Sequence, residues 1–351
     1  MPAQAEPAQA DPAPAAATAD PKQADPKQAH VAATWKHDSP LIACRFDPQA
    51  RYVFAAAQDQ TIQRFDVTTG NKVALKAHDS WLRAIGFSPD GATTYTGGYD
   101  GRLVWWPTAA EAPAAARTVD AHAGWIRALS VSPDGKRIAT AGNDHLVKLW
   151  NAADGSLVST FTGHDRHVYS VLFHPGGEWL LSGDLRGVVK QWETATGKLV
   201  REFDAKDLYT PNPGQGAEYG GVRSLALSPD GKHLACGGLY KGENPFGAVQ
   251  EPLVVVFEWE SANKVQSHTA NGGLKGIIWN AQYHPDGYLI GGCGGSGGGH
   301  LLFWKLDATN EFHRFTLPNT VLDMHLSHDG LQVATAHHDR QLRITRLAAK
   351  A

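Results

Sequence analysis

Cysteine is scarce in this chain: three residues in 351, Cys44, Cys236 and Cys293, lie far apart and form no Cys-x-x-Cys pair. That excludes a disulfide-stapled domain and a cysteine zinc module, and it fits a reducing compartment. There is no apolar run of 18 residues and no basic-then-apolar start, so neither a membrane-spanning helix nor a secretory signal is expected. An Ala/Pro-rich opening is also what the trimmed end of a longer precursor would look like. Strong positive charge is missing as well, the formal net charge being −3, which leaves no overall field for nucleic acid or a membrane surface. The expectation is a soluble cytoplasmic protein, monomeric on its own, in which any basic site is local. Metal and nucleotide motifs are lacking too. No His-Glu-x-x-His occurs, and the glycine run at 291–300 has no Lys-Ser/Thr ending and leads toward a strand rather than a helix, so it reads as a mobile hairpin loop and not as a phosphate cradle. No metal and no cofactor are expected.

What is present is repetition. Residues 1–30 are nearly all Ala, Pro, Gln, Asp and Lys, with ADPKQ written twice at 19–28; such a stretch has little to bury and is expected to be a disordered tail. From residue 31 onward, IRALSVSPDGKRIATAGNDHLVKLW (126–150) matches LRAIGFSPDGATTYTGGYDGRLVWW (82–106) position for position, and VYSVLFHPGGEWLLSGDLRGVVKQW (168–192) continues in frame. Divergent copies at 41–65, 222–257, 278–304 and 321–345 bring the total to seven. Each copy alternates apolar and polar residues, turns at a Pro-Asp-Gly type tetrapeptide, runs again, turns at an Asp and ends on an aromatic. Period-two alternation broken by turns means short antiparallel strands. Four strands per unit at a period of 40 to 45 residues is the pattern of a propeller blade.

With its His122, Ser132-Pro133-Asp134-Gly135, Asp144 and Trp150-Asn151, the third copy resembles the WD-repeat family, and the likeness extends over about nine-tenths of the chain. The resemblance implies an all-β, seven-bladed propeller of four-stranded antiparallel blades, with domain bounds at 31–351. The last copy stops at its third strand, so the segment 31–36 is expected to supply the missing outer strand and close the ring. In this family a His, a turn Asp, a Ser or Thr and a Trp form a buried hydrogen-bonded set. By alignment those are His78, Asp100, Thr96 and Trp106 in the second blade, and His122, Asp144, Thr140 and Trp150 in the third. The fourth copy has Arg186 where the turn Asp belongs, which puts its network in doubt. The last three have Glu218, Leu274 and Leu317 in place of the His, and the final copy has Thr345 in place of the Trp. Looser packing is expected there.

A His, an Asp and a hydroxyl recurring at fixed offsets in several blades behave as structure and not as one catalytic triad. The compact trio His337-His338-Asp339 is a poor chelate because neighbours on a strand point to opposite faces. The sharper signal follows the first apolar position of each copy, where the chain reads Ile42, Arg83, Arg127, Tyr169, Arg223, Trp279 and Leu322. The resemblance places that position at the mouth of the central channel, on the face where partners dock. Two residues before Arg83 and Arg127 come Trp81 and Trp125, with His167 in the matching place before Tyr169. Arg with aromatic residues is the composition of binding hot spots. These arginines are expected to face solvent or an anion and to carry no blade-to-blade packing. Longer connections at 204–221 and 239–252 are assigned to the same face. The reading is a non-enzymatic scaffold that binds a protein or peptide through an acidic or phosphorylated segment. The alternative is a propeller hydrolase or metal-assisted enzyme at the channel mouth, which would need carboxylates or histidines there.

Overall fold

The computed structural model describes residues 23–243 and 250–350, and within them the alternating runs form seven four-stranded antiparallel sheets and one extra two-stranded hairpin. Each sheet is a blade whose strands follow in chain order, inner to outer, except the last. There, His30–Lys36 pairs antiparallel with Gln341–Arg346, His30 opposite Arg346 and Lys36 opposite Gln341. First and last segments therefore share one sheet, and the ring is closed by hydrogen bonds that would otherwise be an open edge.

Described structure extends upstream of the boundary expected at residue 31. Pro26–Gln28 form a short 3-10 turn with Pro26 buried, and the Asp25 N–H donates to the Leu347 carbonyl at 2.7 Å. Ala24, Ala29 and Val31 pack against the core between blades 6 and 7. An Ala/Pro segment with nothing of its own to bury can still be held when a neighbouring blade supplies the apolar surface. The remainder of the expected tail, 1–22, lies outside the described residues.

Cores lie between blades. Leu103, Trp105, Ile126, Ile138 and Trp150 join blades 2 and 3, while Val254, Ile278, Leu302 and Trp304 join blades 5 and 6. The last three blades are as completely buried as the others, with Val255, Leu301, Phe303, Trp304 and Val333 at 0% exposure, so the expected loosening is not found. Packing between sheets depends on the alternating apolar pattern, which those blades keep, and not on the His/Asp set they have lost.

The glycine run also differs from its expected form. Leu289–Gly295 and Gly298–Trp304 are two paired strands of blade 6, not a mobile loop. A Cβ on Gly294 would stand 1.8 Å from the Val321 carbonyl oxygen, and one on Gly299 would stand 1.9 Å from that of Asn319. Glycine is required here because the backbone of blade 7 passes in contact.

Candidate functional site

The first strands of the blades, Leu41–Phe46, Leu82–Phe87, Ile126–Val131, Val168–Phe173, Ser224–Leu227, Ile277–Tyr283 and Val321–Leu326, touch one another in a closed circle around the axis. Each has one edge without a strand partner. Side chains of adjacent blades satisfy the N–H groups on those edges: the Asp323 carboxylate accepts from Cys44 N–H (3.0 Å), Gln282 from Leu326 N–H (2.7 Å), and Ser130 from Phe173 N–H (3.1 Å). Polar residues on these strands thus answer a backbone requirement.

A β-bulge in six of the seven inner strands fixes the mouth. Pairing with the second strand skips one residue between Leu41 and Ala43, Leu82 and Ala84, Ile126 and Ala128, Val168 and Ser170, Ile278 and Asn280, and Val321 and Asp323. The skipped residues are Ile42, Arg83, Arg127, Tyr169, Trp279 and Leu322. A bulged residue leaves the ladder and its side chain is re-aimed. In blade 5 the strand begins one residue later, and Arg223 is held by its N–H on the Gly237 carbonyl at 2.8 Å. Arg83, Arg127, Tyr169, Arg223 and Trp279 line a channel of about 420 Å³, and Arg45, Asn280, Gln282, Asp323 and His325 line it as well. Ile42 instead is buried between blades 1 and 2, with Leu322 packed against the same cluster.

Five of these side chains interlock, and Trp125 of the rim joins them. The Arg127 guanidinium lies 4.6 Å from the Trp125 ring and 4.8 Å from Tyr169; Arg223 lies 4.3 Å from Tyr169 and 5.6 Å from Trp279; Arg83 lies 4.6 Å from Trp279. The result is an alternating ladder, Trp125–Arg127–Tyr169–Arg223–Trp279–Arg83. At the bulged position blades 7 and 1 carry the aliphatic Leu322 and Ile42, and Arg83 reaches from blade 2 to the Trp279 ring of blade 6 and donates to the Leu322 carbonyl of blade 7 at 2.8 Å. These arginines therefore brace blades against one another, contrary to the expectation that they carry no such contacts. Ring faces hold guanidiniums in place while leaving their charge uncancelled.

Charge pairing divides the channel. Arg45 meets Asp323 at 2.5 Å, and Asp323 also accepts from Asn280 at 3.1 Å. Among the described residues Arg83, Arg127 and Arg223 have no carboxylate partner. Burial holds the Arg223 guanidinium below its ordinary range; Tyr169 opposes this, and Arg127 and Arg83 add to it. The Nε of Arg223 and the Nε1 of Trp279 are buried donors with no acceptor among the described residues. His325 is pushed down to about 3 by burial and by Arg45.

Around the rim, Trp81 and Trp125 are 45% and 42% exposed. Trp125 stacks on Tyr99 with ring centroids 4.3 Å apart, Arg127 donates from Nε to Asn143 at 2.8 Å, and His167 bonds the Asn143 carbonyl at 2.8 Å. Trp81 stands apart from the ladder. Tyr99 and Asn143 were not singled out from sequence, although each directly precedes a turn Asp, Asp100 and Asp144. Between blades 4 and 5 the long connection is not simply loop: Tyr209–Asn212 and Ala217–Gly220 form a hairpin. Its Glu218 binds Arg166 (2.8 Å), Arg186 (3.3 Å) and the Tyr209 hydroxyl (2.7 Å). Of the second connection, Tyr240 and Glu251 continue their strands, while 244–249 lie outside the described residues.

The structural sets lie beneath this face. Trp150 Nε1–H donates to Thr140 (2.8 Å), the Thr140 hydroxyl meets His122 Nε2 (2.7 Å), and His122 Nδ1–H donates to Asp144 (2.8 Å). In blade 2, Trp106, Thr96, His78 and Asp100 repeat this at 2.9, 2.9 and 3.0 Å. Blade 4, doubted because of Arg186, has a complete set. Asp184, two residues earlier, accepts from His164 at 2.9 Å, and Ser182 links His164 and Trp192 at 2.7 Å each. Asp184 lies on the strand end instead of in the turn, and it also caps the turn by accepting from the Arg186 and Val188 N–H groups. His337 is buried and bonded to Thr335 and the Asn319 carbonyl.

Sequence comparison adds the family. The model for the WD domain, G-beta repeat, matches residues 71–107, 115–151, 155–193 and 213–241. These four stretches are WD repeats. Relatives of this WD-repeat propeller include the nuclear distribution protein nudF of Aspergillus niger, 31% identical over 175 residues (44% of this chain, 39% of that protein), and nudF of Emericella nidulans, 28% identical over 176 residues with the same shares. The U3 small nucleolar RNA-associated protein 21 of Saccharomyces cerevisiae is 31% identical over 93 residues, 26% of this chain and 10% of that one. The propeller thus spans about two-fifths of the length of the nudF relatives it matches.

Proposed function

We propose that this propeller is a non-enzymatic protein-interaction module whose channel mouth receives an anionic segment of a protein partner in a reducing, cytoplasmic setting. One observation carries the reading: three guanidiniums, Arg83, Arg127 and Arg223, converge on one channel, held by aromatic rings and by no carboxylate among the described residues. In a chain of net charge −3, such a cluster is a local attractor for acidic groups. The exposed rings of Trp81 and Trp125 supply rim area for the rest of the segment. Three free, buried cysteines accord with the compartment. The fungal relatives are named for nuclear distribution, and the likeness to them is confined to the repeats. Catalysis at the mouth is disfavoured because Asp323 is tied to Arg45 and His325 is held neutral.

The test is an array of acidic peptides probed with the intact chain and with an Arg127→Gln, Trp125→Ala variant whose melting is checked first. Acidic peptides should bind the intact chain, weaken as salt rises, and be lost by the variant. Retention of every acidic peptide by the variant would move the site to the hairpin at 209–220.

A further inference from the structure

Resting on that reading of the mouth, we infer that the floor of the ladder, at Arg223 and Trp279, is a subsite for a phosphoryl group carried on a peptide side chain. Two buried donors there, Arg223 Nε and Trp279 Nε1, have no acceptor among the described residues, although buried N–H groups in folded proteins are otherwise satisfied. They are neighbours, since Arg223 lies over the Trp279 ring. Arg83 packs on the same Trp279 ring, and Arg127 packs on the same Tyr169 ring as Arg223, so Arg223 is flanked by a further cation across each of its two rings. Among the described residues all three guanidiniums are without a carboxylate, whereas Arg45 is paired with Asp323.

The stoichiometry distinguishes between anions. A side-chain carboxylate brings one charge and two oxygens. A phosphoryl group brings nearly two charges and three acceptor oxygens, which matches several guanidiniums plus an indole N–H far better. Arg83 sets the entrance: it bridges the mouth from blade 2 to the Leu322 carbonyl, so a slim side chain can reach Arg223 whereas a folded surface cannot. A segment seated across the exposed Trp125 and Tyr99 stack would present one such side chain to the channel.

The experiment compares two degenerate peptide libraries, one with a fixed central phosphoserine and one with glutamate there, against the intact chain and a Trp279→Phe variant. Inorganic phosphate is titrated separately by calorimetry. Phenylalanine keeps an aromatic face for Arg83 and Arg223 and removes the N–H donor with the five-membered ring, so the variant should fold; Arg223→Lys, which keeps the charge and removes the planar fork, is the second probe. The expected result is selection of phosphoserine over glutamate by the intact chain, with affinity about tenfold lower in Trp279→Phe. Equal binding of both libraries, unchanged in both variants, overturns the phosphoryl subsite and leaves the anionic docking face standing. Binding of inorganic phosphate without any phosphoserine peptide overturns the peptide source. Failure of both libraries and of phosphate removes the docking reading as well.

Discussion

At the scale of residues, the same polar atoms serve different ends depending on what faces them. Asp144 is half-buried, which alone would raise its pKa, yet the hydrogen bond and charge of His122 hold its carboxyl below the usual range; Asp100 behaves likewise with His78. A carboxylate whose folded pKa is depressed contributes stability that is complete above its unfolded value near 4 and is lost as pH falls below it. Replacement of Asp144 by Ala should cost about 1–3 kcal/mol in denaturant titrations at neutral pH, because His122 loses its acceptor. Asp184→Ala should cost a similar amount, since it completes the blade 4 set and caps two turn N–H groups. A null effect at Asp184 would mean that blade 4 is held without its network. The pattern Asp-in-the-turn pointed to Arg186 and missed Asp184, because spacing along the chain does not say which nearby carboxylate the backbone turns inward.

At the scale of elements, the bulge and the hairpin decide what the mouth offers. Six inner strands give up one ladder position each, and that irregularity carries Arg83, Arg127, Tyr169 and Trp279 into the channel. The hairpin at 209–220 is fastened by Glu218, whose carboxyl the Arg166 hydrogen bond, with Tyr209 and Arg186, holds down at about 2. Its anchoring is therefore full above the ordinary glutamate value near 4.3 and disappears as pH falls toward 2. Hydrogen exchange of amides 209–220 should accelerate across that window and should be fast at neutral pH in Glu218→Gln; protection that is unchanged in the variant would show that backbone pairing suffices. In blade 6, Gly294→Ala and Gly299→Ala should each destabilise by about 1–3 kcal/mol through overpacking against blade 7. Unchanged thermal midpoints would mean that the hairpin can shift outward at no cost.

At the scale of the whole molecule, the circle is a single cooperative object because each core is shared by two blades and the last blade is shared by both ends of the described chain. A chain starting at Asp38 lacks the outer strand of blade 7 and the stack of Trp35 on Phe65. It should melt well below a chain starting at Gln23 and should associate through the open edge, as read by calorimetry and light scattering. Equal melting would require another closure. The architecture was legible in the sequence because alternation, turn residues and a 40-residue period are local and repeated. One offset from each first apolar residue also picks out Arg83, Arg127, Tyr169, Arg223 and Trp279, which line the channel, together with Ile42 and Leu322, which do not. What the sequence by itself determined is thus the blade, the number of blades and the residue types facing the axis. Only the tertiary structure decided that Arg83 crosses to blades 6 and 7, that Tyr99 joins Trp125, and that Arg45 is cancelled by Asp323 while Arg223 is not. The physical reason is distance: these contacts join residues up to 278 positions apart, and nothing in a local pattern says which cation will meet a carboxylate and which will meet a ring.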